Sequence, residues 1–168
     1  LGIDLGTSAV KTILVDHAQR VVASRGRSLV TVSPRAGYSE QNPAQWIDAA
    51  FATLDALKAD HPSELAAVEG IGLSGQMHGA TLLDAGLKPL RPCILWNDGR
   101  SAAECSLLER RWPALRATTG NKAMPGFTAP KLLWIAAHEP EIFAATRMVL
   151  LPKAYLRLVL SGDVIEDC

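Results

Sequence analysis

Several features that would point to a membrane or secreted protein are missing from this sequence. Only three of its 168 residues are cysteines, at positions 93, 105 and 168, and they form no CxxC pair. This argues against a disulfide framework and a zinc ribbon, and it is typical of a protein in the reducing cytoplasm. No apolar run is long enough to span a bilayer, and the N-terminus lacks the basic and apolar parts of a signal peptide. We therefore expect a cytoplasmic protein without membrane contacts.

Net charge is missing as well. The 17 basic and 17 acidic side chains cancel, which removes the electrostatic footprint of a nucleic-acid or anionic-membrane binder. Hydrophobic residues make up 48% of the chain and charged residues 20%, and glycine and proline are scattered, so the composition is that of a globular protein. At this length we expect one domain with a substantial core and a small ligand that is recognised locally.

The first residues place polar groups at the end of an apolar strand. Asp4 lies in that strand, and Gly6, Thr7 and Ser8 follow it before a second predicted strand begins at Lys11. The pattern predicts a β-hairpin with glycine at its tip. Glycine lets the backbone approach an anion, tight turns direct N–H groups towards it, and a carboxylate suits hydrated magnesium. The hairpin is therefore a candidate phosphate site, although glycine would also permit an ordinary turn.

The rest of the chain predicts strands first and then helices that alternate with strands. A third strand is expected over 20–32, and a helix should begin after Asn42 as its cap, with Gln45 closing a capping box, and end at His61. The apolar stripe of this helix comprises Ile47, Ala50, Phe51, Leu54 and Leu57. Further strands are expected over 68–73, 80–83, 93–96 and 148–151, and further helices over 101–111, 129–138 and 152–160. This order favours an α/β fold with a mixed sheet covered by helices.

A loop with an unusual backbone path is predicted over 75–79, directly after a strand. Glycines stand at both of its ends, and between them Met77 and His78 offer an apolar contact and a mixed hydrogen-bond donor and acceptor. Hydroxylated ligands require such a mixture, and open α/β sheets bind ligands beyond their strand ends. The competing interpretation is a core methionine beside a buried, satisfied histidine.

A second candidate loop over 96–100 combines an indole, an amide, a carboxylate and a guanidinium. Trp96 could face the apolar side of a sugar ring while Asn97 and Asp98 bind its hydroxyls. The competing interpretation is a turn in which Asp98 caps the following helix and Arg100 is solvated. Elsewhere we expect Trp46, Phe51 and Trp134 to pack in the core, Cys93 to be buried and Lys131 to be solvated.

Together the segments 3–8, 75–79 and 96–100 resemble the carbohydrate kinases of the FGGY family, most closely those that act on D-xylulose. The similarity continues through 38–41, 124–134 and 150–153, and the middle loops differ from the Arg-Glu chemistry of glycerol kinases. The resemblance implies a ribonuclease-H-like fold, similar to actin, hexokinase and the Hsp70 ATPase. In that family ATP and sugar bind in a cleft between two such domains. Residues 1–168 would be an incomplete N-terminal domain, with the rest of this domain and the C-terminal domain absent from the chain.

The resemblance also implies a reaction and its residues. The γ-phosphoryl group of ATP would be transferred to D-xylulose, giving D-xylulose 5-phosphate for xylose catabolism, with Mg2+ as the metal ion. The phosphate-facing residues would be Asp4, which would hold the metal ion through water, and Gly6, Thr7, Ser8 and Lys11. The sugar-facing residues would be Met77, His78, Trp96, Asn97 and Asp98. The catalytic aspartate of the family would lie beyond residue 168, so this chain alone is expected to be inactive. The partners would be the sugar and ATP, and assembly of the protein into a homodimer stays an open alternative.

Two alternatives remain. A pocket distinguishes sugars by a few hydrogen bonds that spacing does not reveal, so the substrate could be another ketose or a polyol. A protein of another class, a non-catalytic actin-like nucleotide-binding module, would bind ATP without releasing ADP in response to a sugar.

Overall fold

The computed structural model describes residues 1–166, which form two compact units; Cys168 lies outside the described residues. The first unit comprises Leu1–Thr31, Asn42–Gln76 and the segment that begins at Pro152, and the second comprises Val32–Gln41 and Met77–Leu151. In chain order the elements are β1 (Gly2–Leu5), β2 (Ala9–Val15), β3 (Val21–Ser28), β4 (Glu40–Gln41), α1 (Pro43–Asp60), α2 (Pro62–Ala66), β5 (Gly72–Gly75), β6 (Thr81–Leu83), β7 (Cys93–Ile94), α3 (Ala102–Arg111), α4 (Leu115–Thr119), α5 (Thr128–His138), α6 (Pro140–Ala145), β8 (Met148–Leu150) and α7 (Pro152–Ser161).

The first unit contains a mixed four-stranded sheet in the order β3-β2-β1-β5. The first three strands form an antiparallel meander, and β5 pairs with β1 in parallel, which confirms the predicted mixed sheet. The predicted boundaries of β5 were wrong, because this strand covers 72–75 and not 68–73. Its position follows from its pairing, since Gly72 lies opposite Gly2 and Gly75 opposite Leu5. An apolar run in the sequence does not specify such a register.

Helix α1 packs on one face of this sheet. Its predicted cap is confirmed, because the Asn42 side chain accepts a hydrogen bond from the Ala44 N–H at 3.0 Å. The capping box was wrong, because the Gln45 amide forms hydrogen bonds with both backbone groups of Val30, at 2.8 and 2.9 Å. The prediction for Phe51 was also wrong, since this residue is 45% exposed. The buried stripe of the helix consists instead of Trp46, Ala49, Ala50, Thr53 and Leu57.

The second unit is built around two short antiparallel strand pairs, β4 with β7 and β6 with β8. Its apolar core joins these strands to α5, and Tyr38 packs against it. The buried members of this core are Ala80, Leu82, Ile94, Trp134 and Ile135. The core positions predicted for Trp46 and Trp134 and the burial of Cys93 are confirmed.

Cys93 and Cys105 are both free thiols and both buried, and burial raises the pKa of Cys93 to about 12.

Among residues 1–166, the helices are all too short or too polar to cross a lipid bilayer.

Candidate functional site

The tip of the first hairpin is a tight turn that requires glycine. The Gly6 N–H donates a hydrogen bond to the Ala9 carbonyl oxygen at 3.0 Å. A Cβ atom on Gly6 would lie 3.0 Å from that same oxygen, so a larger residue would force the turn apart. Thr7 is half-buried and Ser8 is exposed. The turn therefore places one hydroxyl in solvent and a second beside it.

Asp4 and Lys11 face each other across the hairpin. They are register partners in the antiparallel β1–β2 pair, and both are exposed. Alternation along β1 buries Ile3 and Leu5 on the opposite face, which leaves the Asp4 carboxylate in solvent. Asp4, Lys11 and Ser74 help to line an open cavity of about 410 Å³ on this face. A carboxylate, an ammonium and hydroxyls fit a phosphate group with a hydrated magnesium ion.

A metal ion at this position would not have a ready-made protein cage. Within the part of the chain that the structure describes, no three His, Cys, Asp or Glu side chains are grouped closely enough to share a metal ion. Magnesium is commonly held by one or two carboxylates together with water and substrate phosphates, which agrees with a single carboxylate at Asp4.

The end of β5 leads directly into the predicted sugar loop. Strand β5 runs parallel to β1, so both strands end at the same edge of the sheet, and the Gln76 N–H donates to the Leu5 carbonyl at 2.8 Å. Met77 follows Gln76 in the chain and is 58% exposed. The competing interpretation of a buried core methionine was therefore wrong at this position.

The backbone at His78 adopts a strained turn. The Gly79 N–H donates to the Met77 carbonyl at 2.8 Å, and His78 between them has a φ of 62°. A hydrogen bond that spans three residues around a positive φ is the hallmark of a γ-turn of the rare, strained type. Non-glycine residues in such conformations are concentrated at ligand clamps and active sites.

The His78 ring has hydrogen-bonding capacity to offer a ligand. It is partly exposed and lies 4.7 Å from the Phe127 ring, centroid to centroid. Burial, with a smaller contribution from the charge of Lys131, lowers the pKa of His78, so the ring is neutral near pH 7. Neither ring nitrogen has a hydrogen-bond partner among residues 1–166. The ring therefore presents one donor and one acceptor, and the interpretation as a satisfied core histidine was wrong.

Lys131 is the residue of this region that the sequence interpretation missed. It was expected to be solvated, but it is fully buried in the first turn of α5. Its Nζ atom donates to the His78 carbonyl oxygen at 2.8 Å and to the Gly126 carbonyl oxygen at 2.6 Å. Burial lowers its pKa to about 8. The available signal was its position in the apolar stripe of α5, which also contains Trp134 and Ile135.

The loop over 96–98 presents two side chains to solvent and buries the third. Trp96 and Asn97 are exposed, whereas Asp98 is 2% exposed. The Asp98 carboxylate accepts hydrogen bonds from the Ser39 N–H at 2.6 Å, from the Arg100 N–H and Nε at 2.9 Å each, and from Arg100 Nη2 at 2.8 Å. These four hydrogen bonds occupy the lone-pair positions of the two Asp98 carboxylate oxygens. The helix-capping interpretation was wrong, because Ser101 occupies the N-cap of α3.

Arg100 is part of a buried ion-pair network, so the competing interpretation of a solvated Arg100 was wrong. Its side chain is 1% exposed, and its guanidinium carbon lies 3.9 Å from the centre of the Tyr38 ring and 4.9 Å from that of Trp134. It pairs with Glu40 at 2.7 Å as well as with Asp98. Burial alone would lower its pKa, but the hydrogen bonds and charges of these two carboxylates outweigh it and raise the pKa.

The segment over 124–128 connects the two loops of the second unit. A Cβ atom on Gly126 would lie 2.5 Å from the Trp96 carbonyl oxygen, so only glycine allows this approach. The neighbouring Phe127 contacts the His78 ring, and the Thr128 hydroxyl donates to the His78 carbonyl at 3.2 Å. The structure thus brings Trp96 and His78 to the same short segment, while the predicted phosphate residues lie together in the first unit.

Comparisons with known proteins match the whole chain. The sequence model of the FGGY family of carbohydrate kinases, N-terminal domain, matches residues 1–168. The xylulose kinase of Escherichia coli (strain K12) is 54% identical over 167 residues, which are 99% of this chain and 34% of that protein. A xyloylose kinase from Brucella ovis has a similar crystal structure, with a TM-score of 0.94 and 58% identity over 96% of this chain and 34% of that chain. For the xylulose kinase from Rhodospirillum rubrum the TM-score is 0.94 and the identity 35%, over 99% of this chain and 34% of that one. The chain spans about a third of the length of the curated relatives that it matches.

Proposed function

Since this chain belongs to the FGGY family of carbohydrate kinases, we propose that the protein that contains it transfers the γ-phosphoryl group of ATP to D-xylulose. One geometric observation carries the sugar-binding part of the proposal. The neutral His78 ring has unpaired donor and acceptor positions, and it is held on a strained turn beside Phe127. The choice of D-xylulose is supported by the relatives, which are xylulose kinases 54% and 44% identical to this chain.

We assign the phosphate groups of ATP to the first hairpin. Gly6 allows the backbone to come close to an anion, and the hydroxyls of Thr7 and Ser8 donate hydrogen bonds to phosphate oxygens. Lys11 neutralises negative charge, and Asp4 holds the water ligands of the metal ion. When bound, Mg2+ would supply further neutralisation of the phosphate charge. Phosphoryl transfer depends on such positioning and neutralisation more than on covalent chemistry.

We assign the sugar to the second unit. His78 donates one hydrogen bond to a sugar hydroxyl and accepts another, while Met77 contacts the carbon side of the ligand. Trp96 provides an aromatic plane for the C–H face of the sugar, and the Asn97 amide binds a hydroxyl. Asp98 lies near the sugar in this proposal, but its four hydrogen bonds make it the residue that fixes the loop.

We assign the catalytic base to none of the residues of this chain. No acidic residue here matches the base of the family, so we propose that residues 1–168 form an incomplete N-terminal kinase domain that is inactive by itself. Our proposal for the whole protein also includes a cytoplasmic location, which agrees with the free Cys93 and Cys105 thiols, and a homodimer. Light scattering of the purified whole protein would test the dimer.

The sugar assignment is tested with His78→Ala and His78→Gln in the whole protein. We expect kcat/KM for D-xylulose to fall by about 100-fold in His78→Ala, because two hydrogen bonds to the sugar are lost. In His78→Gln the loss of kcat/KM should be smaller, because the glutamine amide also has a donor and an acceptor. The KM for ATP should stay unchanged. Unchanged efficiency with D-xylulose would contradict the assignment. A panel of ketoses and polyols, with sugar-dependent ADP release as the signal, identifies another substrate. ATP binding without any such release would instead indicate a nucleotide-binding module.

The phosphate assignment is tested with Asp4→Asn, which keeps the size of the side chain and removes its charge. Turnover should fall with every accepted sugar, because the metal ion and the phosphates serve each substrate alike. Asp84→Asn is the control, since Asp84 is a turn residue of the second unit that accepts hydrogen bonds from Gly86 and Lys88. Magnesium-dependent turnover that survives Asp4→Asn would contradict the role of the hairpin.

A further inference from the structure

We propose that Lys131, assisted by Thr128, is a positioning residue that holds the strained turn at His78 and so orients the His78 ring for the sugar. This inference rests on the proposed function, and it adds a residue that touches neither substrate. Four observations carry it: the strain at His78, two donors on one carbonyl, a second anchor at Gly126, and the burial of an ammonium group.

The turn at His78 needs support from outside itself. A φ of 62° at a non-glycine residue is unfavourable, and such conformations persist only where the surroundings determine them. Within the turn there is one hydrogen bond, from the Gly79 N–H to the Met77 carbonyl. The rest of the support has to come from groups that contact the turn.

Two donors converge on the carbonyl oxygen of His78. Lys131 Nζ lies 2.8 Å from this oxygen and the Thr128 hydroxyl 3.2 Å from it. A carbonyl oxygen has two lone pairs, so both of its acceptor positions are used. The carbonyl carbon of His78 is bonded to the Cα atom that carries the ring. Holding the carbonyl in place therefore restricts rotation about the Cα–C bond and limits the directions in which the ring can point.

The same ammonium group also holds the segment that flanks the ring. Lys131 Nζ donates to the Gly126 carbonyl at 2.6 Å, and Gly126 lies against the Trp96 backbone. Phe127, the next residue, contacts the His78 ring. One buried cation thereby links the turn at His78 to the segment that carries Gly126 and Phe127, and Gly126 in turn lies against Trp96.

The burial of Lys131 is costly, which argues for a role other than stability. Desolvation of an ammonium group is unfavourable, and it lowers the pKa of Lys131 to about 8. An apolar residue of the same length would fill the space without this cost. The hydrogen bonds to two loop carbonyls are what the ammonium group provides and an apolar residue does not.

The test uses Lys131→Met, Thr128→Val and Thr128→Ser in the whole protein. Methionine keeps the length of lysine, valine keeps the shape of threonine without its donor, and serine keeps the donor. We expect the KM for the sugar to rise by about tenfold or more in Lys131→Met and by a few-fold in Thr128→Val, while Thr128→Ser stays near the parent protein. The KM for ATP should change by less than about twofold in all three, and kcat should be largely retained.

Ile135→Val is the control for a purely structural effect. Ile135 lies one turn further along the same face of α5, is fully buried in the apolar core with Leu82 and Ile94, and has no side-chain donor for the His78 carbonyl. Shortening the Ile135 side chain should lower the melting temperature and leave the KM values for the sugar and for ATP unchanged. If Ile135→Val raised the sugar KM as Lys131→Met does, the positioning role would be refuted.

The outcome for this inference is separate from the outcome for the proposed function. Sugar phosphorylation by the unaltered protein is measured first, and the sugar that is turned over best is used throughout. Absence of turnover with every sugar would refute the proposed function. With turnover present, an unchanged sugar KM in Lys131→Met would refute the inference alone. If Lys131→Met does not fold, equal KM values for Thr128→Val and Thr128→Ser would refute it.

Discussion

Asp98 and Arg100 form a two-pronged ion pair in which both side chains are almost completely buried. Nε of Arg100 lies 2.9 Å from one oxygen of Asp98, and Nη2 lies 2.8 Å from the other. The side chains are 0% and 1% exposed. Such paired hydrogen bonds combine charge with a fixed geometry. This pair thus determines the course of the loop that presents Trp96 and Asn97.

Replacement of Asp98 by asparagine should destabilise the protein strongly. The variant removes one of the two carboxylates that pair with the buried Arg100 guanidinium and leaves Glu40, and loss of one member of a buried ion pair costs about 3 kcal/mol. Urea unfolding measures this loss. We also expect a higher KM for the sugar, because the loop over 96–98 is released.

Asp16→Asn is the matched control for Asp98→Asn. Asp16 accepts hydrogen bonds from the Arg20 backbone N–H and side chain, as Asp98 does from Arg100, but Arg20 is 81% exposed. A solvent-exposed pair contributes much less to stability than a buried one. Equal losses of stability in the two variants would contradict the weight that we give to burial.

Gly126→Ala should disturb the contact between Gly126 and the Trp96 backbone. The new Cβ atom would lie 2.5 Å from the Trp96 carbonyl oxygen, so one of the two segments must move. Overpacking of this kind costs about 1–3 kcal/mol, measurable as a lower melting temperature, and the sugar KM should rise. Gly70→Ala is the control, because a Cβ atom there meets nothing within 4 Å. A fully stable Gly126→Ala protein with normal sugar binding would contradict this prediction.

Replacing Thr12 and replacing Thr53 by valine should reduce the stability of the protein by different amounts. The two threonine hydroxyls lie 2.6 Å apart in the interior, and the Thr53 hydroxyl also donates to the Ala50 carbonyl at 2.8 Å. Because Thr53 has a single proton to donate, Thr12 must be the donor between the two. Thr53→Val leaves the Thr12 donor buried without an acceptor and should cost about 1–3 kcal/mol.

Thr12→Val should cost less than Thr53→Val, since Thr53 keeps its hydrogen bond to Ala50. In the double variant the loss should be smaller than the sum of the single losses, because no hydroxyl remains unpaired. Urea unfolding of the three variants completes this cycle. Additive effects, or a larger cost for Thr12→Val, would show that the assigned direction of the hydrogen bond is wrong.

The pKa of Lys131 predicts how its contribution to stability depends on pH. Burial lowers this pKa from 10.5 to about 8; Arg100 acts in the same direction, and Cys93 and Asp98 oppose it. Between these two pH values the unfolded chain keeps the lysine proton and the folded chain does not, so stability rises with pH. The increase is about 3 kcal/mol at most. The parent protein should therefore gain stability relative to Lys131→Met as the pH rises through this window.

Unfolding free energies of the parent protein and Lys131→Met, at about pH 7.5 and about pH 10, measure this difference. The other titratable neighbours of Lys131 do not interfere. The pKa of Cys93 is raised to about 12, that of Arg100 is raised, and that of His78 is lowered from an ordinary value of 6.5 that already lies below the window. A constant difference between the two proteins across the window would contradict the lowered pKa of Lys131.

Local chemistry in the sequence determined much of the first unit. Alternation in the first two strands predicted the hairpin, and a capping residue before a proline predicted where α1 begins, because both signals act between neighbours in the chain. Motif similarity predicted the family, which the comparisons confirm. The roles of the candidate site residues stay predictions.

Only the tertiary structure decided which polar side chains are buried and what they bind. Sequence reasoning placed Lys131 in solvent, and the competing interpretation of the second loop did the same for Arg100, because charged residues are rarely buried unless they are paired. Their partners, the His78 carbonyl and Glu40, are about 50 to 60 residues away in the chain. Local sequence signals do not specify contacts over such separations. The hairpin that holds the candidate phosphate site was therefore readable from the chain, whereas the support of the His78 turn became visible only when distant segments packed together.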